Sequence, residues 1–109
     1  KRRTFDDGVY SATFPFVEIV DDMPVKILKP IYLGQEDPSR ILDHGNKWLF
    51  TINRLKQLLP HDVVFAVEGP NGKAAQQRAF SETIGLFKDN DIQVVDARNK
   101  QELIHAAEG

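Results

Sequence analysis

The run Val63-Val64-Phe65-Ala66-Val67 is apolar at every position, ends in a carboxylate at Glu68, and leads straight into Gly69-Pro70-Asn71-Gly72-Lys73. An uninterrupted apolar run of this length suits a strand buried on both faces, which requires other layers of structure above and below the sheet. Gly-Pro and Asn-Gly in succession are turn signals, so the strand must stop there. Glu68 is thereby placed where a buried strand leaves the sheet. Open α/β sheets bind ligands outside the carboxyl ends of their strands, so Glu68 and the turn after it are the first candidate site.

A chain of 109 residues, 41% of them hydrophobic, suits a single domain over residues 1–109 with one packed core. It begins with Lys1 rather than Met, which fits a piece of a longer chain. With no cysteine, neither a disulfide framework nor a thiolate metal site is available. The formal charge of −2 does not match a strongly basic nucleic-acid binder, although Lys1-Arg2-Arg3 cluster, as do Lys73 and Arg78. No apolar run is long enough to span a membrane and no signal peptide is visible. The expected compartment is the cytoplasm, with no membrane partner.

Before the central run, Val9–Val20 and Val25–Leu33 are rich in β-formers; Pro15 makes the first an edge strand or one with a bulge, and Pro30 demotes the second toward the edge. The link Asp21-Asp22-Met23-Pro24 joins them as an antiparallel hairpin. Asp37 and Pro38 form a helix start, and Ile41, Trp48, Ile52, Leu55 and Leu59 recur at helical spacing until Pro60. Gly45 lies on that stripe and predicts a close approach of the helix to the sheet; Trp48 is assigned to the core. After the central run come a helix over Ala74–Lys88 and a short strand over Ile92–Val95. A last helix follows, with Asn99 and Glu102 in a capping-box pattern. The order hairpin, helix, strand, helix, strand, helix predicts an α/β domain. Its mixed sheet has antiparallel first strands and parallel later ones, with helices on both faces.

Several motifs fail on their own chemistry. A P-loop needs Ser or Thr after its lysine to hold magnesium, whereas Lys73 is followed by Ala74. Strand-Glu-Gly-Pro is similar to the start of a Toprim domain, but Asp89-Asn90-Asp91 precedes the second strand instead of ending it. His44 and His61 have no partners at metal-ligand spacing and read as structural or solvated. The loop Asn71-Gly72-Lys73 remains, with Gln76, Gln77 and Arg78 on the helix it opens. It is a candidate phosphate-backbone contact, because a helix start presents unpaired N–H groups and a positive dipole end.

The element order, and above all the stretch from Asp62 to Gly109, resembles the ribonuclease H-like fold of RuvC-type Holliday-junction resolvases. The shared pattern is a strand ending in an apolar-Glu pair, then a loop with Asn or Gly and a helix with a small residue near its end. A short strand (Ile92-Gln93-Val94-Val95) and a helix ending near a glycine complete it. The resemblance implies endonuclease cleavage of structured DNA, with magnesium or manganese held between carboxylates. It assigns Glu68 to the second acidic position. The first, an aspartate on the central first strand before a glycine turn, falls on Asp7-Gly8, with Asp6 as fallback. Asp7 and Glu68 would thus be catalytic residues and metal ligands together. Two departures stand: Lys1-Arg2-Arg3-Thr4-Phe5 is not an apolar first strand, and the family's closing acidic pair belongs on a helix beyond Gly109, which this sequence does not reach. The alternative is a catalytically inactive ribonuclease H-like module that binds a protein or nucleic-acid partner.

Overall fold

The apolar run forms strand β5 (Asp62–Glu68), and its alternating side chains enter two different cores. Val63, Phe65 and Val67 pack on one side of the sheet, Val64 and Ala66 on the other, and all five are buried. A strand alternates its side chains between faces, so only an all-apolar sequence satisfies both layers.

The computed structural model describes residues 1–108. The chain opens with β1 (Arg3–Asp6), β2 (Ser11–Phe14), β3 (Phe16–Val20) and β4 (Met23–Tyr32), followed by α1 (Pro38–Arg54). After β5 come α2 (Ala74–Asp89), β6 (Gln93–Asp96) and α3 (Lys100–Glu108). The main sheet has the order β3-β4-β5-β6: β3 and β4 are antiparallel, whereas β4, β5 and β6 are mutually parallel. Its larger core takes in Ile41 and Ile52 of α1 and Ala79 and Phe87 of α2, and its smaller core takes in Ala106 of α3. The fold is therefore α/β, with a mixed sheet and helices on both faces. Among the described residues, no helix is long and apolar enough to cross a membrane.

The expected strand over Val9–Val20 is two strands. Proline cannot donate to a ladder, and at Pro15 the chain leaves its pairing with β1 and starts a new one with β4. The turn at Asp21-Asp22 has positive φ at both residues, +52° and +65°, as a two-residue hairpin of type I′ requires. β4 is not the edge strand that Pro30 suggested, since it lies between β3 and β5. The ladder to β3 ends at Leu28, and Leu33 N–H donates to Glu68 O, so by alternation Pro30 turns its missing N–H away from β5. Pro24 is tolerated beside a bulge at Glu18/Ile19.

Helix α1 begins as expected: Asp37 accepts from Ser39 N–H and Pro38 occupies the first turn. It ends at Arg54, a turn earlier than the apolar spacing implied, and Leu55 to Leu59 continue as turns. Gly45 does admit a close approach, but to a helix. A Cβ there would overlap the methyl group of Thr83 on α2. Trp48 is only half-buried and lies against Phe14, with ring centroids 6.0 Å apart.

Candidate functional site

Parallel pairing of β5 with β6 sets Val67 opposite Asp96, so the carboxyl ends of both strands open on the same side of the sheet. The turn after Glu68 and the link Ala97–Asn99 therefore meet. Arg98 joins them: one guanidinium nitrogen donates to Asn71 Oδ1 at 2.9 Å, and the other to Gly69 O at 3.0 Å and Glu68 Oε2 at 3.4 Å. Asp96 fixes this arginine from below by accepting from Arg98 N–H at 2.9 Å. Glu102 reaches back to Asp96 N–H at 3.2 Å while its own N–H donates to Asn99 Oδ1. The capping-box pattern is thus half-formed, with Glu102 serving the strand end in place of Asn99 N–H. A cleft of about 360 Å³ lies between these strand ends and α2, lined by Val67, Gly69, Phe80, Val94, Asp96 and Arg98. Gly69 lets the Phe80 ring close on the backbone, because a Cβ there would come 2.8 Å from it.

Arg98 is the side chain at this candidate site that sequence reasoning missed. Its signal was present: a lone arginine two residues beyond a strand end and just before the Asn99 cap. Only the parallel β5–β6 register, however, brings it to Glu68.

Asp7 is not at this site. It sits in the β1–β2 turn, where its Oδ1 accepts from Val9 and Tyr10 N–H and its Oδ2 from Arg54 Nε at 2.6 Å. Arg54 is the last residue of α1, whereas Glu68 O bonds Leu33 N–H just before that helix begins. The 17 residues of α1 run about 25 Å between the two carboxylates. Asp7 and Glu68 therefore lie toward opposite ends of the sheet. The fallback Asp6 belongs to the same distant turn and accepts from Gly8 N–H. The physical reason is topological. The strand beside β5 is β4, the last before α1, and β1 pairs only with β2. The carboxylates assigned to magnesium do not converge, Glu68 faces an arginine, and no described group of three or more His, Cys, Asp or Glu is placed to hold a metal ion.

The Arg54 guanidinium beside Asp7, helped by the Tyr10 and Val9 N–H groups, lowers its carboxyl from 3.8 to about 2. A pKa lowered on folding stabilises above the unfolded value and ceases to do so as pH falls through the folded one. Asp7→Asn should therefore melt below the parent at pH 6, and the gap should close between about pH 4 and pH 2. Thermal melts across that range check this, and a gap constant down to pH 2 would refute the contact.

The proposed phosphate-contact residues fall into two groups. Asn71 accepts from Arg98, and Gln76 is engaged at both ends, accepting from Lys73 N–H and donating to Gln35 O at 2.9 Å. Gln77 donates to Pro70 O. These side chains build the turn. Lys73 and Arg78 are exposed, and neither belongs to any of the three ion pairs among the described residues.

Comparison with known proteins finds no matching family model, curated protein or solved structure.

Proposed function

We propose that this domain is a non-catalytic, ribonuclease H-like module that binds structured nucleic acid through the turn after Glu68 and the start of α2. The observation that supports it most is the pair of exposed cations, Lys73 and Arg78, with no carboxylate of the described residues within ion-pair distance. They stand at the start of a 16-residue helix whose first N–H groups and dipole favour phosphate. The ribonuclease H-like relationship is proposed for the half from β5 onward, where strand, helix, strand and helix follow the resolvase pattern. The first half departs from it, because that family has its first strand at the centre and this chain has β4 there. A resolvase activity, with Asp7 and Glu68 around magnesium, is the weaker reading given their separation.

The test is a titration of a labelled four-way DNA junction at low salt, followed by anisotropy. The unmodified domain should bind. Lys73→Ala with Arg78→Ala should weaken binding to every sequence and lower the slope of log K against log salt by about two ion equivalents. A domain that shows no junction binding at low salt would shift the reading to a protein partner at the same loop.

A further inference from the structure

A second cationic surface lies on the far flank of α1. Lys29 of β4 and Lys47 of α1 converge on Trp48, with their ammonium groups 4.5 Å and 6.0 Å from the ring centroid. His44 is one turn before Trp48, and Arg40 one turn before His44, so the three share a stripe of the helix. Among the described residues, no carboxylate forms an ion pair with this group. The ion pairs among the described residues are Lys26–Asp62, Arg54–Asp7 and Arg98–Glu68, and Asp43, although four residues before Lys47, reaches no such contact.

Two lysines at one aromatic ring gain cation–π attraction but repel each other, and a bound anion would relieve that repulsion. The repulsion has a second sign. Burial, then the Lys47 charge, lowers the pKa of Lys29; burial, then Lys47 and Lys29, lowers that of His44. The site is also accessible from outside the sheet. β3 covers β4 only as far as Leu28, so Lys29 begins the stretch of β4 that has no antiparallel neighbour. Lys47 is exposed, and Lys29, His44 and Trp48 are half-buried. The ring attracts both ammonium groups and so biases where they sit before any ligand arrives.

We infer that Lys29, Lys47 and Trp48 form an oxyanion site for a backbone phosphate of a nucleic acid, separate from the Lys73–Arg78 contact. The inference rests on the nucleic-acid reading above and adds a second point of attachment on the other side of α1. A strand held at both points would be oriented across the domain, which one contact cannot achieve.

Trp48 is the chain's single tryptophan, so its fluorescence reports this site alone. The experiment titrates the domain at low salt with a labelled oligothymidylate and, separately, with inorganic phosphate, following Trp48 emission and the anisotropy of the label together. The expected result is a saturable emission change with the oligonucleotide. Lys29→Gln with Lys47→Gln should weaken it about tenfold and shrink its salt slope, whereas Lys73→Ala with Arg78→Ala should raise the concentration needed yet still reach the same saturating emission change. Anisotropy that reports binding while Trp48 emission stays constant, with Lys29→Gln and Lys47→Gln having no effect, would overturn the site and leave the Lys73–Arg78 reading standing. A full response to inorganic phosphate with none to the oligonucleotide would overturn the polymeric ligand. No binding by either readout would overturn both proposals.

Discussion

Phe65→Ala should lower folding stability by about 3–5 kcal/mol, the largest loss expected from any substitution on β5. The ring is fully buried and meets Phe87 of α2 edge to face, with centroids 4.9 Å apart at 84°. β5 has β4 on one side and β6 on the other, so its backbone is held by two ladders and cannot sink into the vacated space. The cost thus combines lost transfer energy with an unfilled cavity, and loss of the aromatic pair falls within the same range. Against a total stability of about 5–15 kcal/mol, this would leave a domain that unfolds far more readily. Equilibrium urea denaturation with an unchanged slope is the measurement. A loss below about 1.5 kcal/mol would show that β5 is not clamped in this way.

Gly45→Ala should also destabilise, although in an exposed helix the same change would stabilise by about 1 kcal/mol. The new methyl would overlap the Thr83 methyl, and Thr83 has little room to turn aside. It is 1% exposed, and its Oγ1 donates to Ala79 O at 2.8 Å. Overpacking of this kind costs about 1–3 kcal/mol, enough to outweigh the gain in helix propensity. Thr83→Ala removes the obstructing methyl, so Gly45→Ala made on that background should cost much less. A double-mutant cycle isolates this coupling. Equal costs on both backgrounds would mean that α1 and α2 do not touch at Gly45.

Much of the fold was readable because its signals were local. The apolar run at 63–67, the Asp37-Pro38 helix start and the two-aspartate turn each depend on a few neighbouring residues. What escaped were features that depend on which strands become neighbours. Pro30 reads as an edge residue, yet β4 is interior, because an edge can be local to half a strand. Gly45 reads as a point of close approach, but nothing in its own helix says whether a sheet or another helix will come near. The candidate site divides the same way. Glu68 and the turn after it lie where the sequence puts them, at the carboxyl end of a buried strand. The pairing of Glu68 with Asp7 assumed that the chain's first strand is its central one. The sheet instead sets β4 beside β5 and sends Asp7 to the end of α1, and the partner Glu68 does find is Arg98, 30 residues downstream.

Binding and cleavage are separated by a native gel of an end-labelled four-way DNA junction incubated with the domain and magnesium at low salt, then re-run under denaturing conditions. With Asp7 and Glu68 held apart, and Lys73 and Arg78 outside every ion pair of the described residues, the junction should shift while its strands remain full-length. A junction that is never shifted would contradict nucleic-acid binding. Magnesium-dependent nicking that disappears in Glu68→Gln would contradict the separation of the two carboxylates and restore the nuclease.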